Sequence, residues 1–307
     1  MVLGTGCLTH VGCGGNSPAD PTPDEQTDYR AGLRSTLQTL SDQAGDALFR
    51  LHFNSMLRVV EAGDHRSSAD DQGLRALGAA FTDASTPHSP RLRESHLDRS
   101  RPLIVSWVSP TDGQVSFAWL TLPARWDPDL EHPLYIQLHG LWDVAQDRVP
   151  HLAYPFSNPG GSHAFEDGYL VSPWGRGNLW YRGIAETDIW EGMAAIKTLV
   201  RVNEGRQYLC GHSMGGYGAW HIAHRSADAW AALGIHAGAL SYNMGEVDGT
   251  SDGLLDVNQI AYALLQNAGD PNLAFVTFPG GHDYRLSDVE AMYLWMRRFE
   301  SRARALP

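Results

Sequence analysis

The sequence predicts an α/β fold: a mostly parallel central sheet covered by helices on both faces, with a helical appendage at its N terminus. Three observations carry this. Apolar residues recur at spacings of three and four from Tyr29 to Ala80, the period of amphipathic helices. Beyond Arg101 a strand hairpin gives way to short buried strands alternating with helical stripes, which is the pattern of a sheet built from parallel strands and crossover helices. Within that alternation, Tyr208 to Gly218 reads as an apolar strand that turns at Gly211-His212-Ser213-Met214-Gly215 straight into a helix of small residues.

Residues 1–28 are rich in Gly, Pro, Thr and Asp with little to bury, and are expected to be a disordered or signal and spacer segment. From 29 to 98 the helical appendage is carried by Leu33, Leu37 and Leu40, then by Leu48, Leu51, Met56, Leu57 and Val60. The main domain is expected over 99–307. It opens with Pro102 to Val108 and Gln114 to Leu122 flanking Ser109-Pro110-Thr111-Asp112-Gly113, a strong hairpin signal.

Pro133 to Leu138 is the next strand and stops at His139-Gly140. Gly168 to Ser172 follows, leading into a loop, Pro173 to Gly183, in which glycines and aromatics are interspersed. Asp188 with Glu191 resembles a capping box, and Ile189, Met193, Ile196 and Val200 form the stripe of the helix it would start. Past the elbow, Ala231 to Gly238 and Asn272 to Phe278 are the remaining strands. A helix lies between them from Val257 to Leu265, with Asp256 as its N-cap paired with Gln259. Ser287 with Glu290 caps a final helix whose Val289, Met292, Met296 and Phe299 share a face.

A chain of 307 residues with 43% hydrophobic content can bury one large core. Its formal charge of -12 argues against nucleic acid as a partner, because phosphate backbones are held by clustered Lys and Arg. No apolar run reaches the length of a membrane span. His139, His163 and Asp167 are not at metal-ligand spacing, and there is neither a phosphate loop nor a dinucleotide fingerprint, so no metal or cofactor is expected. Cys210 sits in the elbow strand, where a small buried residue suffices.

The opening, Gly6 to Ser17 with Cys7 and Cys13, resembles the end of a bacterial lipoprotein signal, although no basic segment precedes it and His10 stands where leucine is preferred. That resemblance implies a secreted or extracytoplasmic protein, held to the membrane by a lipid anchor. Truncation of the signal, a Cys7–Cys13 disulfide, or plain disorder are equal readings of the same residues.

The elbow supplies the chemistry. A G-x-S-x-G turn between strand and helix thrusts its serine hydroxyl out of the backbone, which makes Ser213 the candidate nucleophile. A serine hydroxyl needs a base, and His282, on a glycine-flanked loop at the end of the last strand, is the candidate among 14 histidines.

From the hairpin onward the chain resembles the α/β-hydrolase superfamily. Its wording around Ser213 and His282 is similar to secreted esterases, polyhydroxybutyrate-depolymerase-like enzymes and prolyl-oligopeptidase-type hydrolases. The resemblance implies an α/β-hydrolase fold and a triad in the order nucleophile, acid, histidine. Asp252, in Gly249-Thr250-Ser251-Asp252, resembles the superfamily's acid segment, with Asp248 as the alternative. Only Ala239 to Asp248 separate Gly238 from Gly249, where that pattern spends a helix and a strand. Either something short replaces the strand or a segment is missing there. The oxyanion donors would be the backbone amides of Met214 and Leu141, with Trp142 as fallback.

Trp142, Tyr154, Phe156, Trp174, Trp180 and Tyr181 fall on loops leaving the strand ends, where flat rings suit a sugar, an aromatic acyl group or a polyester. Trp142, Trp174, Trp180 and Tyr181 are the expected substrate-binding residues, and Arg176 and Arg182 would orient an anionic substrate. The function expected is a serine esterase acting through an acyl-enzyme on small or polymeric esters, carbohydrate-linked or polyester. The alternatives are a prolyl-oligopeptidase-type peptidase and a catalytically silent binding module.

Overall fold

The computed structural model describes residues 23–63, 68–82, 102–157, 167–238, 253–267 and 286–301, together with 272, 274 and 282. Its sheet has six strands: β1 (Leu103–Val108), β2 (Val115–Thr121), β3 (His132–Leu138), β4 (Tyr169–Pro173), β5 (Val202–His212) and β6 (Ala232–His236). They lie in the order β1-β2-β4-β3-β5-β6. The hairpin β1–β2 and the pair β2–β4 are antiparallel, and the joins from β4 through β3 and β5 to β6 are parallel. Nine α-helices accompany the sheet among the described residues: α1 (Pro23–Gln43), α2 (Ala47–Ala62), α3 (Ser68–Thr82), α4 (Asp143–Gln146), α5 (Arg148–Ser157), α6 (Ile184–Lys197), α7 (Met214–Arg225), α8 (Gly253–Asn267) and α9 (Leu286–Met296).

Successive residues of a strand face opposite sides of a sheet, so each strand here feeds two cores. One face collects Leu103, Val105, Ala118, Leu120, Ile136, Val171 and Leu209 beneath α6 and α7, which contribute Ile189, Met193, Ile196, Met214 and Ile222. The opposite face is divided. Ile104 and Phe117 pack with Leu37, Met56, Val60, Leu77 and Phe81 of the N-terminal helices. Farther along, Tyr135, Leu170, Tyr208 and Cys210 pack with Val289, Tyr293 and Met296 of α9. Burial pushes the Cys210 thiol up to about 12 and leaves it a small apolar filler.

The outer strand β1 would present unpaired backbone groups to solvent, a hazard that folded proteins cover. Here α2 covers them. The amide of Ile104 donates to His52 Nδ1 at 2.7 Å and that of Ser106 to Ser55 Oγ at 3.0 Å. Arg58 in turn donates to the Ser106 carbonyl at 3.3 Å. Asp46 fixes where α2 starts, its carboxylate accepting from Leu48 N at 2.7 Å.

Several elements differ from the sequence reading. The first helix begins at Pro23, inside the tract read as spacer, because proline at a first helical position loses no hydrogen bond. Helix α6 starts at Ile184, so Asp188 lies within it and is buried rather than capping. Helix α8 starts at Gly253, placing Asp256 inside its first turn, and α9 starts at Leu286, one residue before Ser287. Helices α4 and α5 have no counterpart in the sequence reading. Pro150 and Pro155 both fall within α5 and break the helical signal, though the first turn tolerates Pro150. Of the strand expected at 272–278, residues 273 and 275–278 lie outside the described residues, as do Cys7, Cys13 and the segment 239–252.

Candidate active site

Strand β5 ends at His212 and α7 begins at Met214, leaving Ser213 alone to reverse the chain. It does so at φ 54 and ψ -116, a left-handed conformation that disfavours a side chain and is held by the surrounding structure. Two backbone bonds hold it: Ser213 N donates to His236 O on β6, and Tyr217 N donates to Ser213 O, each at 3.0 Å. The reversal brings helix against strand so closely that a Cβ at Gly211 would collide with the backbone of Gly215, and one at Gly215 with the Leu138 carbonyl. The glycines of the motif are therefore where this crossing needs them.

His282 Nε2 lies 2.7 Å from Ser213 Oγ, across sixty-nine positions of sequence. That is hydrogen-bond distance for a base about to take the hydroxyl proton. His212 and His236 stand beside the pair, with the His212 ring 5.1 Å from that of His236 and 5.4 Å from that of His282. Burial, followed by its two imidazole neighbours, pushes His212 down to about 4. It is neutral near pH 7 and places no repelling charge against His282.

The segment after β3 passes directly over the serine. A Cβ at Gly140 would sit 3.4 Å from Ser213 Cβ and 3.3 Å from the His212 carbonyl. Leu141 follows with its side chain 61% exposed, so packing does little to fix it. Met214 is buried at the first position of α7, where the backbone N–H groups have no partner within the helix and the dipole favours negative charge.

The loop between β4 and α6 holds that segment from the side. Tyr181 donates its hydroxyl to His139 O at 3.1 Å, and Trp174 donates Nε1 to Ala145 O at 2.9 Å. His139 Nδ1 lies 2.8 Å from Gly140 O and Nε2 lies 2.9 Å from Trp174 O. Burial keeps His139 below its ordinary pKa, so a single N–H serves one of these two carbonyls. Asn178 pairs with Trp142 twice, accepting from its amide at 3.3 Å and donating to its carbonyl at 2.9 Å.

The structure thus brings Ser213, Met214, Leu141 and His282 to one end of the parallel strands. Trp142 and Trp180 are half-buried, Trp180 standing edge-on to Tyr217 with ring centroids 5.7 Å apart. Two expected substrate-binding residues are elsewhere. Trp174 is buried and stacked on Phe117 at 5.9 Å, and Tyr181 is 1% exposed against the backbone of His139. An aromatic on an irregular loop is drawn inward whenever a cavity and a polar partner await it, and both rings have them. Tyr154 packs edge-on against Trp142 at 4.3 Å, and Phe156 is in the core with the N-terminal helices.

Arg176 is not free for an anionic substrate, because it is paired with Asp188 at 2.9 Å and Asp112 at 3.1 Å. Arg182 lies over the Tyr217 ring at 5.0 Å. Asp252 and Asp248 lie outside the described residues. Among the described residues no cluster of His, Cys, Asp and Glu is arranged to hold a metal. Nor is any of their helices long and apolar enough to cross a membrane. Asn178 and the Arg176–Asp188 pair were not distinguishable in the sequence, since their partners are brought to them by the fold.

The sheet order, the strand–serine–helix reversal and the histidine above it define an α/β-hydrolase fold. No protein-family model matches the chain, and no curated protein matches it. Solved structures do. A thermostable esterase superposes with a TM-score of 0.50 at 17% identity, the match covering 67% of this chain and 64% of that one, so the chain spans less than two thirds of that relative's length. A ferulic acid esterase gives 0.49 at 20% identity over 64% of this chain and 97% of its own. A ferulic acid esterase of the anaerobic fungus Anaeromyces mucronatus gives 0.45 at 12% identity over 64% and 88%. The likeness to the first of these establishes the fold.

Proposed function

We propose that the protein is a serine hydrolase that cleaves carboxylic esters through an acyl-enzyme. The observation that carries the proposal is the 2.7 Å approach of His282 Nε2 to Ser213 Oγ, at a serine held in a left-handed turn ahead of a helix. In the first half-reaction His282 takes the hydroxyl proton as Ser213 Oγ bonds to the ester carbonyl carbon. The proton then passes to the departing alcohol, leaving an ester on Ser213. In the second half, water attacks that ester with His282 again as base, releasing the acid and restoring the serine.

The negative charge on the carbonyl oxygen in each half falls to the amides of Met214 and Leu141. Asp252, with Asp248 as its alternative, is assigned to orient the imidazole. Trp142 and Trp180 are assigned as walls of the substrate site, which suits carbohydrate-linked or polyester substrates with flat groups.

The test is Ser213→Ala against a short-chain p-nitrophenyl ester, with fluorophosphonate labelling alongside. Hydrolysis and labelling are expected in the parent protein and neither in the variant. Folded parent protein that neither hydrolyses the ester nor takes the label would favour the silent binding module instead.

A further inference from the structure

The amide of Leu141 has to point at the substrate oxygen, and within its own peptide group the one contact among the described residues is that of the Gly140 carbonyl with His139 Nδ1, at 2.8 Å. Gly140 has no side chain, and the side chain of Leu141 is largely in solvent. Because the single N–H of His139 is shared between the Gly140 carbonyl and Trp174 O, the peptide groups on either side also set the direction of the amide. On the near side the His139 carbonyl is bonded by Tyr181. On the far side one carboxamide, that of Asn178, meets both backbone groups of Trp142, whose carbonyl also accepts from Ala145 N at 3.0 Å. A side chain that accepts from an amide and donates to the carbonyl of the same residue fixes that residue as a neighbouring strand would, leaving the preceding peptide little freedom to turn.

The loop that presents Asn178 is built under strain and anchored. Arg176 and Trp180, two residues to either side, have φ of 61 and 57, and Tyr181 has 55. Such conformations persist where the surroundings impose them. Arg176 is tied to Asp188 of α6, and Tyr181 is packed in the core. Asn178 is thereby supported on both flanks, while its own polar groups are spent on Trp142.

We infer that Asn178 is a positioning residue that aims the Leu141 amide into the oxyanion site by clamping Trp142 through both of its backbone groups. The inference rests on the reading of Ser213 as an acylating nucleophile. Its effect is on turnover: the oxyanion forms after binding, so a misdirected amide lowers kcat and leaves KM nearly as it was.

The test is Asn178→Asp, with Asn178→Ala and Ser213→Ala beside it, on a p-nitrophenyl ester. An ionised aspartate can accept from Trp142 N but cannot donate to Trp142 O, whereas a protonated one does both, as asparagine does. At about pH 8 kcat of Asn178→Asp is expected to fall roughly tenfold to a hundredfold with KM within about twofold, the scale of a small misplacement at a reacting centre. The ratio of its kcat to that of the parent is expected to rise as pH falls toward about 5, because the facing carbonyl favours the neutral acid. Asn178→Ala should show the loss without the recovery.

A folded Asn178→Asp protein with parental kcat at about pH 8, a loss confined to KM, or a loss that does not change with pH would overturn the inference. The two readings separate cleanly. An inactive Ser213→Ala beside an unaffected Asn178→Asp removes the inference alone, and a parent protein without esterase activity removes both.

Discussion

Arg176 Nε lies 2.9 Å from Asp188 Oδ1, with the carboxylate fully buried and the guanidinium 7% exposed. Ser116 on β2 donates to the other carboxylate oxygen at 2.7 Å, and Asp112 in the hairpin takes the remaining guanidinium nitrogens. One ion pair thus joins the hairpin, the loop after β4 and helix α6. Burial raises Asp188 from 3.8 to about 6, against the pull of Ser116 and Arg176.

Because the folded value is the higher one, the contribution of Asp188 to stability is fully present below its unfolded value of 3.8 and is lost as pH rises through about 6. Arg176→Ala leaves the carboxylate without its counter-charge. It is expected to cost roughly 3–5 kcal/mol near pH 8, and less near pH 5 where the acid can protonate. Asp188→Asn should flatten stability over the same interval. Urea denaturation at the two pH values checks both, and a penalty for Arg176→Ala independent of pH would contradict the assignment.

Gly215→Ala would place a methyl group against the Leu138 carbonyl, at the point where α7 leaves β5. Backbone cannot retreat there without carrying Ser213 with it. The variant is expected to lose about 1–3 kcal/mol, as overpacking at a close backbone crossing does, and nearly all of the ester hydrolysis proposed for Ser213. Thermal unfolding and ester hydrolysis measured together test this, and a stable, fully active variant would show that the crossing is looser than described.

Tyr181→Phe removes the donor to His139 O while keeping the buried ring. A carbonyl deprived of a buried partner costs about 1–2 kcal/mol. Since that carbonyl lies two residues before Leu141, kcat should fall severalfold with KM little changed. Burial drives the phenol well above its ordinary value, so the hydroxyl stays a donor and the effect should not vary between pH 6 and about 9.

Leu37 and Met56, on α1 and α2, are fully buried in the cluster that includes Ile104 and Phe117 of the sheet. Truncating either to alanine is expected to cost about 2–5 kcal/mol. Because the cluster is shared, calorimetry should show the whole protein melting earlier in one transition. A separate low-temperature transition for the helices would mean that they fold as an independent unit.

Most of the described sheet was legible in the sequence because its strands are short apolar runs bounded by turn residues, although β5 also runs back through the polar stretch from Asn203 to Gln207. The elbow was legible because its glycines and serine fall close together, between 211 and 215. What sequence concealed depended on distant partners. Asp188 looks like a cap when seen only with Glu191, and becomes a buried ion once Ser116 and Arg176 close on it. Trp174 and Tyr181 look like a binding surface on a loop of aromatics and glycines. Phe117 and the carbonyls of Ala145 and His139 draw them inward instead. Asn178 is one polar residue among many until Trp142 stands opposite it. Helix α5 was hidden by its own prolines.

The contacts His52, Ser55 and Arg58 make with Ile104 and Ser106 have a bearing on any attempt to shorten this chain. A version starting at the hairpin would keep Ser213 but present a bare ribbon margin, ready to recruit the same margin of another molecule. Its failure would be self-assembly into higher-order species and loss of solubility. Trimming should therefore retain α2, or replace its three polar side chains with charges on β1 that discourage docking.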